Sequence, residues 1–176
     1  VSPATNSYRN NTQVSYILSK DCATATITFT RTSGTADPGS PRVQNLTGSE
    51  LTAGTKTNIT LTNNPALVDG TTYSVAWDCT DAAGNTATQI VSTNVRYDIT
   101  LPVISAVSPA NSTGVSSSAV NYTLSEDCST GSVVWQSTSG TGHPNGPHTR
   151  TLTGSELNAG TQTNIAFASN PLLDAT

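Results

Sequence analysis

The apolar residues of this chain recur at every second position within short segments. Segment 72–79 shows the pattern most clearly, because Tyr73, Val75, Trp77 and Cys79 share one side while small or polar residues occupy the other. A period of two is the spacing of a strand with one buried face. The same alternation predicts strands at 13–19, 25–31, 57–62 and 86–97. No window has helical periodicity, so we predict an all-β fold.

Residues that favour turns separate the predicted strands. Clusters of Asp, Asn, Pro and Gly interrupt strands because their side chains and backbones suit tight turns. Such clusters lie at 37–39, 63–65, 69–70 and 83–85. About seven short strands per roughly 100 residues is the pattern of an immunoglobulin-like β-sandwich, which we predict here. The predicted inward residues of the other strands are Val14, Tyr16, Leu18, Ile27, Phe29, Ile59, Leu61, Ile90 and Val95.

The sequence contains two copies of one pattern, offset by 106 residues. Without a gap, 31 of the 65 pairs from Val1/Val107 to Pro65/Pro171 are identical, which indicates a duplication. We therefore expect tandem immunoglobulin-like sandwiches. The first repeat is assigned to 1–98, a linker with a lead-in strand to 99–106, and the second, truncated repeat to 107–176.

The second copy lacks counterparts of the last two predicted strands of the first. It keeps the inward residues that those strands would cover, which are Val120, Tyr122, Leu124, Val133 and Trp135. A large apolar patch would be left open without a facing layer. We expect the chain's own continuation past Thr176 to close it, and the alternative is a strand donated by a neighbouring subunit.

A capping box present in both copies is the strongest local helix signal. Thr47-Gly48-Ser49-Glu50 recurs as Thr153-Gly154-Ser155-Glu156. In Thr-x-x-Glu, each side chain satisfies a free backbone N–H group of a helical turn. A catalytic acid is the alternative role for Glu50, but no second carboxylate or nucleophile lies nearby in sequence. The capping role is therefore favoured.

Charge and hydropathy argue against nucleic-acid binding and membrane insertion. Charged residues make up 10% of the chain and the net charge is −4, whereas nucleic acids and anionic membranes require a basic patch. Ser and Thr contribute 54 of the 176 residues, which suits strands and turns. No apolar run approaches the ~20 residues that span a bilayer. We expect no nucleic-acid partner and no direct membrane insertion.

Two segments resemble the bacterial immunoglobulin-like repeats of large surface adhesins. One is the linker 98–102, Asp-Ile-Thr-Leu-Pro, leading into 107–111, Val-Ser-Pro-Ala-Asn. The other is the strand end 81–86, Asp-Ala-Ala-Gly-Asn-Thr. The resemblance implies a row of domains that projects a binding tip from a bacterial cell or builds an extracellular fibre, with no catalytic residues. It also implies neighbouring repeats or identical subunits as partners, and a surface glycan or host protein as a ligand.

Three cysteines determine the expected disulfides. In an immunoglobulin-like sandwich, the strands that end at Cys22 and Cys79 belong to opposite sheets and face each other, which predicts a Cys22–Cys79 bond. Cys128 is the repeat counterpart of Cys22, so its partner is expected outside this sequence. The alternatives are a zinc site, which requires closer Cys and His spacing, and a reactive Cys128 thiol. Disulfides imply an oxidising, extracellular or cell-surface compartment.

A calcium ion is the one cofactor that the sequence suggests. Calcium takes oxygen ligands, and Asp98 at the linker could bind it together with Asp69 or with a loop of the next domain. The acidic residues are not clustered as in a dedicated calcium loop. The favoured expectation is therefore that the protein has no cofactor.

Histidines and aromatic residues provide two further candidates. His143 and His148 correspond to Asp37 and Arg42 of the first copy, and this exchange of charge favours a solvated loop over a metal or acid–base site. A sugar-binding platform is one interpretation of the aromatic residues. Strand parity favours core positions for Tyr16, Trp77, Tyr122 and Trp135.

The leading functional hypothesis is a non-catalytic structural segment, either an adhesin stalk or an extracellular fibre. The alternatives are a carbohydrate- or protein-binding adhesive module and an accessory domain of a secreted enzyme. Loops 32–35 and 46–51 are shared by both copies, which favours the structural role because a recognition loop should be specialised. Loop 36–42 differs between the copies and keeps the adhesive alternative open.

Overall fold

The computed structural model describes residues 1–138 and 146–166, and it divides the chain into two compact units, Val1–Thr100 and Leu101–Thr176. The described residues form strands and two single-turn 3-10 helices, at Gly48–Leu51 and Gly154–Leu157, and contain no α-helix. The all-β prediction is confirmed. The strands are β1 Tyr8–Arg9, β2 Val14–Leu18, β3 Thr24–Gly34, β4 Arg42–Asn45, β5 Gly54–Ile59, β6 Thr71–Thr80, β7 Ile90–Tyr97, β8 Ile104–Ser108, β9 Val120–Leu124, β10 Ser132–Trp135, β11 His148–Thr151 and β12 Gly160–Ile165.

The first unit contains a five-stranded sheet in the order β1–β7–β6–β3–β4 and a two-stranded sheet, β2–β5. The pairs are antiparallel except β1–β7, which is parallel. Side chains from both sheets form one apolar cluster, because each strand presents alternate residues to it. Its strand members are Val14, Tyr16, Ala25, Ile27, Phe29, Tyr73, Val75, Trp77 and Val95.

Strands β3 and β6 form the centre of this core. Ile27 pairs with Trp77 and Phe29 pairs with Val75, so four large apolar side chains stand on one face. The ring of Phe29 meets the ring of Tyr73 edge-on at a centroid distance of 6.3 Å. Aromatic pairs favour this geometry because the positive ring edge faces the negative ring face.

The second unit contains a three-stranded sheet, β12–β9–β8, and a two-stranded sheet, β10–β11. Its register repeats that of the first unit. Ser132 pairs with Thr151 and Trp135 with His148, the counterparts of Thr26↔Asn45 and Phe29↔Arg42. Its buried core consists of Val120, Tyr122, Leu124 and Leu152.

The aromatic residues occupy core positions, as strand parity predicts. Tyr16, Trp77 and Tyr122 are buried, and Trp135 is partly buried against the second core. Tyr8, by contrast, is 75% exposed.

The placement of Ile90 in the core is wrong. Ile90 pairs with Trp77 and so lies on the core-facing side of the sheet, but half of its surface remains exposed. Strand β1 pairs only with the opposite end of β7, at Arg96 and Tyr97. In the part of the chain that the structure describes, no strand therefore flanks Ile90 on its outer side.

The segment assigned to the linker and lead-in strand contains the start of β8. Ile104 pairs with Leu124 of β9, so this segment joins the three-stranded sheet of the second unit. Across residues 1–138 and 146–166, no helix has the length and apolar character that crossing a bilayer requires.

Candidate functional site

Cys22 and Cys79 form the predicted disulfide, with an S–S distance of 2.06 Å and a Cα–Cα distance of 5.8 Å. Cys22 lies in the connection between β2 and β3 rather than at a strand end, and its N–H donates to the carbonyl of Leu51 at 2.9 Å. Cys79 lies on β6, paired with Ala25 of β3. Since β3 and β6 are neighbours in one sheet, the bond joins the β2–β3 connection to the adjacent strand.

Cys128 lies in the second unit where Cys22 lies in the first. Its N–H donates to the carbonyl of Leu157 at 2.8 Å, the counterpart of the Cys22–Leu51 bond. Its thiol is free and partly buried, and it lies 3.8 Å from the carbonyl oxygen of Glu126. The partner that the sequence predicts for Cys128 remains a prediction.

Glu50 forms the predicted capping box. Its Oε2 accepts the Thr47 N–H at 2.7 Å, and its Oε1 accepts the Thr62 N–H at 2.6 Å. Burial raises the pKa of the Glu50 carboxyl, but these backbone N–H donors outweigh burial and the net pKa is lowered. Tyr16 donates its hydroxyl to the Glu50 carbonyl at 2.8 Å. The carboxylate thus connects the turn to the segment that follows β5.

The second unit repeats this arrangement around Glu156. Glu156 accepts the Thr153 N–H at 2.9 Å, and Tyr122 donates to the Glu156 carbonyl at 2.7 Å. Arg150 forms an ion pair with the same carboxylate and is the main reason that the pKa of Glu156 is lowered. Both predicted capping boxes are confirmed.

Asp37 lies at the centre of a buried polar network. Arg42 donates to both its carboxylate oxygens, at 2.6 and 2.7 Å, Tyr73 donates its hydroxyl at 2.8 Å, and Gly39 donates its N–H at 2.9 Å. The Arg42 bonds are the main cause that lowers the pKa of Asp37 to about 2, against the opposing effect of burial. The network fixes loop 36–42 onto β6.

The prediction of a solvated loop at these positions is wrong for the first unit. Asp37 is only 7% exposed, so the exchange with histidine in the second copy replaces a buried ion pair. His143 lies outside the described residues, while His148 begins β11. The signal that could have indicated the pair is the five-residue spacing of Asp37 and Arg42 across a Pro-Gly turn.

Asp81 is a second buried carboxylate that the sequence reasoning missed. It accepts the N–H groups of Ala83 at 3.0 Å and Asn85 at 2.8 Å, and it pairs with Lys20. Hydrogen bonds from Asn85, then from Lys20, hold the pKa of Asp81 well below its usual range. Asp81 therefore organises the β6–β7 turn, and the Asp-x-x-x-Asn spacing at 81–85 is the signal for it.

The calcium candidates Asp69 and Asp98 accept hydrogen bonds from the linker. Asp69 accepts the Ile99 N–H and the Thr100 hydroxyl, both at 2.7 Å, and the Ile99 bond is the main cause that lowers its pKa. Asp98 accepts the Thr100 N–H at 3.3 Å and lies 3.5 Å from Arg96. No group of three or more metal-ligating side chains occurs within the described ranges, and calcium binding stays a prediction.

An apolar groove of about 410 Å³ lies in the second unit between its two sheets. Strand β10 pairs with β11 along one edge, and among the described residues no strand pairs with its other edge. In the first unit, β6 lies along the corresponding edge of β3. The apolar side chains that line the groove include Tyr122, Leu124, Val133, Trp135, Leu152 and Leu157.

Comparison of the chain with protein-family models, with curated proteins and with solved structures finds no match.

Proposed function

We propose that this chain is a non-catalytic structural segment of an extracellular, bacterial repeat protein of the adhesin type, and that its first repeat bears tension along the polypeptide. The repeats are then immunoglobulin-like sandwiches. Their partners are neighbouring repeats or identical subunits. Four observations support the proposal.

The observation that carries it is the parallel pairing of β1 with β7. Tyr8 pairs with Arg96 and Arg9 with Tyr97, so the first and last strands of the repeat lie side by side and run in one direction. Tension between the chain ends pulls β1 from its beginning and β7 from its end. The two forces act at opposite ends of the pair and load it in shear.

The hydrogen bonds between the two segments share this shear. Asn6 N–H donates to Thr93 at 3.0 Å, Arg96 N–H to Ser7 at 2.9 Å, and Asp98 N–H to Arg9 at 2.8 Å. Under shear these bonds must yield together, whereas in peeling they yield one after another. A segment that bears tension needs the first geometry, because forced unfolding depends on the unfolding rate.

The disulfide supports the same role. Cys22 and Cys79 close a loop that contains β3, β4, β5 and nearly all of β6, while β1, β2 and β7 lie outside it. A disulfide also suits the oxidising compartment of an extracellular protein.

The polar residues provide a further argument. Glu50, Asp37 and Asp81 direct their carboxylates to backbone N–H groups and to a neighbouring cation or hydroxyl. Each of these bonds fixes a turn or a loop. The hydrogen-bonding capacity of these carboxylates is thus used to stabilise the fold, which suits a structural segment.

The test is single-molecule pulling of the full chain in two geometries. Handles at Val1 and Leu101 load the β1–β7 pair in shear. Handles at Val1 and Thr88 load the same pair from one end, because Thr88 precedes β7 and is exposed. The proposal expects the first repeat to rupture at a clearly higher force in the first geometry.

Equal forces in the two geometries, or a lower force in the shear geometry, would contradict the proposal. A matched variant, Asn6→Gly, removes the side-chain bond to Asn94 and tolerates the positive φ of residue 6, 58°, so the backbone bonds stay in place. Its rupture force in shear should therefore stay close to that of the parent chain.

A further inference from the structure

The groove of the second unit has the same walls as the filled core of the first unit. Tyr122 donates to the Glu156 carbonyl at 2.7 Å where Tyr16 donates to Glu50 at 2.8 Å. Asp127 accepts the Ala159 N–H at 2.7 Å, as Asp21 accepts the Ala53 N–H at 2.7 Å. Among the described residues, the second unit therefore has the walls of this core without counterparts of β6 and β7.

The first unit shows what such a groove accepts. Along β3, the residues Ala25, Ile27 and Phe29 pair with Cys79, Trp77 and Val75 of β6. The counterparts of these three β3 residues in the second unit are Gly131, Val133 and Trp135, by the shared register of β10 with β11. All three face the groove. The edge of β10 that no described strand occupies thus offers the same order of apolar pairing positions.

Cys128 lies near this edge and offers a thiol for a covalent bond to a strand that binds there. Its backbone N–H bond to Leu157 repeats that of Cys22 to Leu51. The backbone of Cys128 therefore has the position from which the Cys22 side chain forms its disulfide with Cys79 of β6. Cys128 lines the groove and carries a free thiol. In the first unit the bonded cysteine of β6 lies opposite Ala25, whose counterpart is Gly131.

We propose that the groove binds a β-hairpin of the same polypeptide, C-terminal to the second repeat, and that Cys128 forms a disulfide with it. The first strand of the hairpin runs antiparallel to β10 and places aliphatic and aromatic residues at alternate positions. Its cysteine lies opposite Gly131. A tethered hairpin is favoured over a separate chain because the same polypeptide supplies β6 and β7 to the first unit. A short flexible tether raises the effective concentration of such a hairpin to about millimolar. The proposal is independent of the role in bearing tension.

The disulfide forms by exchange with an external disulfide, such as an oxidoreductase of the extracytoplasmic compartment. The Cys128 thiolate attacks this oxidant and displaces one of its sulfurs as a thiolate. The hairpin thiolate then attacks the mixed disulfide at the Cys128 sulfur and displaces the second. The two protein thiols lose two electrons and two protons, and the oxidant is reduced to its dithiol.

A synthetic hairpin with the sequence of residues 70–98 tests the groove. Its single cysteine, the copy of Cys79, is activated as a thionitrobenzoate mixed disulfide and added to the oxidised full chain, whose free thiol is Cys128. Attack by Cys128 joins the peptide to the chain and releases coloured thionitrobenzoate. We expect a saturable reaction at least about tenfold faster than with a scrambled peptide, which corresponds to ~1.4 kcal/mol of binding.

A control peptide with Tyr73→Asp and Val75→Asp keeps the cysteine but loses the apolar face. It should react at the rate of the scrambled peptide. If all three peptides react at one rate, the groove does not select a β-hairpin and the proposal is overturned.

Disulfide mapping of the protein isolated from its source without reductant tests where the hairpin comes from. The proposal expects the peptide that contains Cys128 to be linked to a peptide of the same polypeptide. A separate chain released on reduction, or a free Cys128, would overturn it. Neither outcome would alter the pulling forces, so the two proposals fail separately.

Discussion

Tyr73 donates its hydroxyl hydrogen to Oδ2 of Asp37 at 2.8 Å. The same hydroxyl oxygen accepts the N–H of Val68 at 3.0 Å. Tyr73 is fully buried on β6, so one phenol connects loop 36–42 and the segment before β6 to the central strand of the core. The pair is therefore a junction between two loops and the sheet.

Replacement Tyr73→Phe should destabilise the first repeat by about 1–3 kcal/mol, because the Val68 N–H loses its acceptor and buried Asp37 loses a donor. Urea unfolding followed by circular dichroism measures this loss as a lower midpoint. Tyr8→Phe is the matched control. Tyr8 is 75% exposed, and its change should stay within about 0.5 kcal/mol. Equal effects of the two substitutions would contradict the importance of the Tyr73 hydroxyl.

Lowering the pH should destabilise the first repeat, because Asp37 becomes protonated. Its pKa is about 2 in the folded protein and 3.8 ordinarily, so the ionised group stabilises the fold above pH 3.8. That stabilisation is lost as the pH falls from about 4 to about 2. Asp37→Asn should lower stability at neutral pH and give a shallower decline of the unfolding free energy over this range.

Glu50 and Asp81 also have lowered pKa values. They therefore contribute to the decline of the unfolding free energy with falling pH in both the parent protein and Asp37→Asn. The difference between the two pH profiles therefore isolates Asp37. Parallel profiles for the parent and Asp37→Asn would show that Asp37 is not the group that couples stability to pH.

Gly34 and Gly48 make a matched pair for a test of close backbone approach. Both have positive φ, 75° for Gly34 and 53° for Gly48, so alanine strains the backbone at either site. A Cβ at Gly34 would lie 2.2 Å from the carbonyl oxygen of Gly70, whereas one at Gly48 meets nothing within 4 Å. Gly34→Ala should cost at least ~1 kcal/mol more than Gly48→Ala in thermal or urea unfolding. Equal losses of unfolding free energy would contradict this, because the backbone around Gly34 and Gly70 would then move apart to accommodate the added methyl group at little cost.

Alternation predicted the strands whose inner face is buried. Strand β6 follows the predicted set Tyr73, Val75 and Trp77, which are all buried. Strands β1 and β4 were missed because neither has the alternating apolar residues of a buried face. Strand β1 has two residues and a parallel partner far along the chain, and the one aliphatic side chain of β4, Val43, is 51% exposed.

The features of the candidate sites also differ in how far they could be predicted from the sequence. The capping box was predictable because both partners lie within four residues, and the disulfide followed from the sandwich pattern. The Asp37–Arg42 pair has a local signal, but the burial of Asp37 was not predictable because it depends on Tyr73, which lies 36 residues away on another strand. The apolar groove was predictable from the incomplete second repeat, because the five side chains expected to lack a facing layer all line it.

The central claim is that the β1–β7 pair sets the resistance of the first repeat to tension while the disulfide keeps segment 22–79 closed. Pulling the full chain from Val1 and Leu101, oxidised and reduced, tests it most directly. Reduction should lengthen the extension at rupture by about 200 Å, because the cysteines are 57 positions apart in the sequence and each residue spans roughly 3.5 Å when extended. The rupture force should stay the same, since β1 and β7 lie outside the loop. A rupture force that falls on reduction, or an extension that does not change, would contradict the account.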